Sequence, residues 1–140
     1  MRPPIDLHLR YSLVHQKPEI WAPIVQIGLR HGKKSFGAMG LLDTGSSWTI
    51  IGTKYADPLR MDWRNAEQMT FIGFGNAKNV GHKMRLTLVL SACKYVWEAD
   101  VLVSEAGNPF PFILLGHQGF FENFDVTFQT RRRYLRIQKD

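Results

Sequence analysis

The chain has 140 residues, 44% of them hydrophobic, 12% aromatic and 21% charged, with a formal net charge of +6. This composition excludes a disordered chain, and the length suits one domain that buries about two-thirds of its unfolded surface. No apolar run reaches the roughly 18 residues of a membrane span and the start lacks a continuous hydrophobic leader core, so a soluble, cytoplasmic protein is expected.

Residues 1–18 carry Pro3, Pro4 and Pro18 and no sustained apolar run. They read as an N-terminal arm, extended or an edge strand, ahead of a single domain over residues 19–140. Residues 21–29 (WAPIVQIGL) have the β-branched and aromatic content of a strand, and HGKK supplies the turn after it. Residues 35–42 form the next strand, and residues 48–51 resume an extended run, so strand, turn and strand bracket Asp43. Residues 57–68 (DPLRMDWRNAEQ) are polar without a clear period and read as a loop with room for one helical turn.

Residues 69–90 have a centre rich in glycine and asparagine between apolar or alternating flanks, the composition of a long hairpin with its tip near residues 72–76. Residues 95–103 (YVWEADVLV) are a strand, and residues 107–109 (GNP) a turn. In FILLGHQGFFENFDVTF a buried strand stops at Gly116, a helical turn or two carries Phe120, Phe121 and Phe124 inward, and DVTF returns to strand. QTRRRYLRIQ reads as a turn and a last strand. Short strands cut by glycine predict an all-β, barrel-like fold.

One carboxylate, Asp43, stands against the apolar run in LLDTGSSWTIIG. An ionised aspartate there is costly to desolvate unless something pairs with it or protonates it. A turn aspartate capping local N–H groups is the ordinary use of such a residue. Among the aspartates, though, only Asp43 is followed by Thr-Gly or Ser-Gly.

LLDTGSS at residues 41–47, FIGFGN at residues 71–76 and ILLGHQGFFENFDVTF at residues 113–128 together resemble the retropepsin-like family of aspartic proteases. The resemblance implies a closed, barrel-like acid-protease fold with a flap hairpin and one short C-terminal helix. It also implies a two-fold homodimer, because the family joins two DTG aspartates and this chain has one. Asp43 would then be catalytic, one copy per subunit, in an aspartic endopeptidase (a hydrolase) cleaving extended polypeptides with apolar side chains around the cut.

The same resemblance places Thr44 at the dimer centre and gives Ser46 a hydrogen bond to Asp43, while Gly45 lets the backbone come close to the carboxylate. Ser47 and the flap residues Ile72, Gly73, Phe74 and Gly75 would hold the substrate as an added strand. Ile113, Leu114, Leu115 and Gly116 would support the DTG loop from behind. No cofactor and no metal is implied. Where the family often has an acidic residue and an arginine, this chain has Ser47 and His117. That departure keeps open an alternative, a proteolytically inactive peptide-binding or dimerisation module on the same fold.

Other motifs carry less. Gly73 and Gly75 mimic a dinucleotide loop, but Lys78 stands where its third glycine belongs. The five histidines lack the close paired spacing of metal sites, and no G-x-S-x-G elbow is present. RRR at residues 131–133 invites a nucleic-acid partner, yet no aromatic-interleaved motif accompanies it, and a solvated basic face is the expectation. The lone Cys93 forms no internal disulfide and is expected half-buried in a strand.

Overall fold

A computed structural model describes residues 2–72, 78–106 and 111–140. The chain begins with β1 (Ile5–Arg10), followed by a hairpin of β2 (Ser12–Gln16) and β3 (Glu19–Ala22). In β4 (Ile24–His31) alternate residues face the core: Val25, Ile27 and Leu29 are buried while Gln26 and Arg30 are exposed. Gly32 and Lys33 turn the chain into β5 (Lys34–Leu42), which pairs antiparallel with β4 along its length.

Beyond the DTG turn come β6 (Ile50–Gly52) and α1 (Thr53–Ala56), then β7 (Gln68–Ile72). The long strand β8 (Lys78–Leu90) and β9 (Tyr95–Ser104) form an antiparallel ladder, followed by β10 (Ile113–Leu115), β11 (Asp125–Gln129) and β12 (Tyr134–Lys139). The strands β4-β5-β10-β6-β9-β8 are neighbours in that order, and pairing of β8 back onto β4 closes a six-stranded barrel. Closure removes the edges that an open sheet would leave exposed. The outer half of β8 leaves the barrel to pair with β7, with Ile72 opposite Lys78 at the far end.

β10 sets the site. It runs parallel to β5 and antiparallel to β6, so the two strands flanking the DTG turn are not paired with each other but lie on either side of a third. A second, three-stranded sheet orders β1-β12-β11, which places the arm residues 5–10 at its edge.

Among the described residues the one short α-helix lies at Thr53–Ala56, not near the C-terminus. In residues 117–123 the amides of Phe120 and Phe121 both donate to the Gly116 carbonyl, and that of Glu122 to His117, so the hydrogen-bond spans are mixed. The reason is Gly119, whose φ of 100° no α-helix accommodates. The inward aromatic packing does not need the helix. Phe120 and Phe124 are buried against Trp97, with ring centroids 6.0 and 5.0 Å away, and Trp97 Nε1 donates to the Gly119 carbonyl at 2.8 Å. Phe121 is partly buried.

The loop after α1 contains a single 3-10 turn at Trp63–Asn65, where Trp63 Nε1 donates to Asp57 Oδ1 at 2.8 Å. Cys93 is exposed in the turn joining β8 to β9, contrary to the half-buried strand thiol expected. That turn takes small and polar residues because β8 and β9 are already in full register from Leu90 and Tyr95 onward. The expected turn at residues 107–109 lies outside the described residues.

Candidate active site

Asp43 directly follows β5, at the point where the chain leaves the barrel wall. Its amide donates to the Leu115 carbonyl at 3.0 Å, which carries the β5–β10 ladder one step into the turn. The Ser46 amide then donates to the Asp43 carbonyl at 3.1 Å and closes a tight loop. Gly45 N–H donates to Asp43 Oδ1 at 2.9 Å, fixing the carboxylate against its own turn. A Cβ at position 45 would stand 3.3 Å from that oxygen, tighter than an ordinary contact, so glycine lets the amide approach. Asp43 is partly buried, and among the described residues no cation pairs with it.

The second motif grips this loop from β10 onward. The Gly116 amide donates to Thr49 Oγ1 at 3.2 Å, and Thr49 is fully buried. The His117 amide donates to the Ser46 carbonyl, and the Gln118 amide to that of Ser47, both at 2.9 Å. His117 Nε2 donates to the Thr44 carbonyl at 2.7 Å. A side chain at position 116 would overlap the backbone oxygens of Trp48 and Ser46. Segments far apart in sequence are thus pinned together by backbone groups, a rigid mount for a reacting carboxylate.

Most of the expected site residues cluster here. Thr44, Gly45 and Ser47 are exposed around Asp43, and Ile113 and Leu115 are buried with Leu114 partly so. Ser46 differs from expectation: its hydroxyl donates to the Trp48 carbonyl at 2.6 Å and not to Asp43. The hydroxyl is taken up within its own loop by Trp48 O, and the carboxylate takes its bond from Gly45 instead. Ile72 ends β7, while Gly73, Phe74 and Gly75 lie outside the described residues.

Two contributors were missed in the sequence. Thr49 reads as one more β-branched strand residue; its buried hydroxyl becomes meaningful only when Gly116 is brought to it. In the sequence His117 is only a departure from the family's pattern, and its bond to Thr44 leaves no sequence signal. Beside the loop lies a cavity of about 390 Å³, lined by Leu42 and Thr44 together with Tyr11, Trp21, Phe128 and Arg133. Burial pushes the Tyr11 phenol up from its usual range.

Among the described residues no group of three or more histidine, cysteine, aspartate or glutamate side chains could hold a metal ion. None of their helices is long and apolar enough to cross a membrane.

No protein-family model matches the chain, and no curated protein matches it in sequence. Solved structures do. A retropepsin-like aspartic protease from Rickettsia conorii is similar with a TM-score of 0.66 over 98% of this chain and 93% of that one, at 12% sequence identity. The fold is therefore retropepsin-like: all-β, with a closed barrel and, among the described residues, one short α-helix.

Proposed function

We propose that the chain is an aspartic endopeptidase acting as a two-fold homodimer, with Asp43 of each copy forming the catalytic pair. A closed assembly of two identical chains brings the same residue to both sides of its axis, which is how a single motif supplies two carboxylates. Two carboxyls about 3 Å apart share one proton, and the titration belongs to the pair. The ionised member takes a proton from a bound water as that water attacks the peptide carbonyl. The protonated member donates to the carbonyl oxygen as the tetrahedral intermediate forms. The chain's own residues suffice for these proton transfers.

The observation that carries this reading is the mounting of Asp43: one carboxylate at the mouth of a loop whose amides and carbonyls are tied to a second motif, within a retropepsin-like fold. A capping aspartate in an ordinary turn does not require that scaffold. The Gly45 bond engages Oδ1, and among the described residues Oδ2 takes no hydrogen bond. On this reading Oδ2 is the oxygen that meets water and substrate. The substrate class follows from the family resemblance: an extended polypeptide with apolar side chains, held as an added strand by Ser47 and by residues 72–75 of the flap.

A second reading rests on Ser46 and His117, whose side chains serve the loop's own backbone and leave the Asp43 carboxylate with one hydrogen bond among the described residues. On that reading the chain is a peptide-binding or dimerisation module without proteolysis. Digestion of a peptide library between about pH 3 and pH 7, with sedimentation of the same samples, separates the two. Wild type should cleave as a dimer, and Asp43→Asn should dimerise without cleaving. A dimer of wild type that cleaves nothing across the range would establish the module reading and end the protease one.

A further inference from the structure

We infer that the β2–β3 hairpin is a clasp that seats on a second copy of this chain and supplies the apolar area of the dimer. The inference rests on the homodimer reading above and says which surface makes it. The hairpin pairs with no other strand among the described residues. A bare two-stranded ribbon is marginal in water unless something covers it. Three of its residues, Leu13, Val14 and Ile20, are exposed at 40%, 37% and 47%. Scattered exposed apolar residues need no explanation, but three on one isolated ribbon do.

The hairpin is nevertheless held in place. Its second strand is tied to the body by Arg133, whose guanidinium lies 4.6 Å from the Trp21 ring centroid and 3.6 Å from Oε1 of Glu19, beside the hairpin turn. Trp21 Nε1 donates to the same carboxylate at 2.8 Å, and the Tyr11 amide donates to the Arg133 carbonyl at 2.8 Å. A β-bulge lets Val14 and His15 both oppose Ile20. The basic run at residues 131–133 thus contributes Arg133 to hold the ribbon.

Three observations select a second copy as the occupant. Trp21 and Arg133 line the same cavity as Thr44, one residue past the carboxylate that must meet its twin, so the ribbon springs from the rim of the incomplete site. A stable dimer needs about 800 Å² from each partner. The four small or hydroxyl-bearing residues 44–47 cannot supply that, and this ribbon carries three of the six large apolar side chains exposed among the described residues. Finally, two copies each carrying +6 repel at long range, so their association needs a compensating contact, and apolar burial of the kind this ribbon offers can supply it.

The test compares sedimentation equilibrium of wild type, Asp43→Asn and the triple variant Leu13→Ser/Val14→Ser/Ile20→Ser, with Ile20→Lys as a milder second variant. All three changed side chains are exposed, and an unaltered circular-dichroism melt confirms folding. The hairpin variants should raise the dimer dissociation constant by about tenfold or more, whereas Asp43→Asn should leave it unchanged. A photo-crosslinker at position 14 should yield a product of twice the chain mass. A dimeric wild type with hairpin variants of equal dissociation constant would overturn the clasp and leave the homodimer reading intact. A wild type that stays monomeric and inactive would fail both. Co-sedimentation of wild type with neutral phosphatidylcholine vesicles, lost in the triple variant, would give the ribbon to a lipid surface and also overturn the clasp.

Discussion

His117 Nε2 lies 2.7 Å from the carbonyl oxygen of Thr44, a bond spanning 73 residues of sequence. A carbonyl can only accept, so Nε2 carries the hydrogen. The imidazole therefore clamps the peptide next to Asp43, while its ring lies tilted at 47° to that of Phe121 in the turn behind, with centroids 5.3 Å apart. The clamp is exposed, so its net worth is that of an ordinary hydrogen bond, about 1 kcal/mol. His117→Ala should lower the unfolding free energy by about that amount and speed hydrogen exchange of the Gly45 and Ser46 amides. Unchanged exchange at both amides would show the clamp to be idle.

Gly116 is a harsher constraint. Any Cβ there meets the carbonyl oxygens of Trp48 and Ser46, which are backbone atoms and cannot swing aside as a side-chain tip can. Gly116→Ala should cost about 3 kcal/mol, the upper part of the usual overpacking range. Denaturant titration reads the loss directly. A variant within about 0.5 kcal/mol of wild type would mean that the loop yields freely and is not the rigid mount described above.

These two residues also mark what the sequence could and could not reveal. The strands were legible because their period is local: Val25, Ile27 and Leu29 announce β4, and HGKK announces its turn. The DTG loop was legible because glycine and a carboxylate beside an apolar run are unusual together. The short helix was misplaced because FFENF has apolar spacing compatible with a helix, while Gly119, with its left-handed φ, overrides that spacing. The resemblance gives the Ser46 hydroxyl to Asp43, but which acceptor it reaches depends on how the loop curls onto Trp48. Bonds such as Gly116 to Thr49 join distant segments and leave no periodic trace.

Arg136 and Asp6 form a two-pronged pair across the β1–β12 edge, with Nε and Nη2 each 2.8 Å from a carboxylate oxygen. The hydrogen bonds from Arg136 hold the Asp6 carboxyl below the usual aspartate range, with burial opposing and His8 assisting. A carboxyl depressed on folding lends stability above its unfolded range and loses it as pH falls through the folded one. Acidification below the ordinary aspartate range should therefore loosen the edge strand β1, and Asp6→Asn should remove that part of the acid sensitivity. Thermal melts of both proteins from neutral to strongly acidic pH provide the check. Parallel curves throughout would show that the pair does not couple β1 to the sheet.

Tyr11 offers a change that should improve stability. The residue is only 7% exposed, and among the described residues its buried hydroxyl finds no hydrogen-bond partner. A hydroxyl removed from water without compensation is a net cost, and replacing it with hydrogen leaves the ring's packing in place. Tyr11→Phe should thus stabilise the chain by about 1 kcal/mol, raising Tm by a few degrees. A second signature comes from alkali. Burial raises the phenol on folding, so ionisation favours the unfolded chain, and the wild type loses further stability as pH rises from the ordinary tyrosine range through the raised value. The gap between variant and wild type should accordingly widen above about pH 10. Melting both proteins at neutral pH and in alkali reads both effects. A Tyr11→Phe protein that melts lower at neutral pH would mean that the hydroxyl is satisfied, and that the cavity beside Thr44 owes part of its shape to that bond.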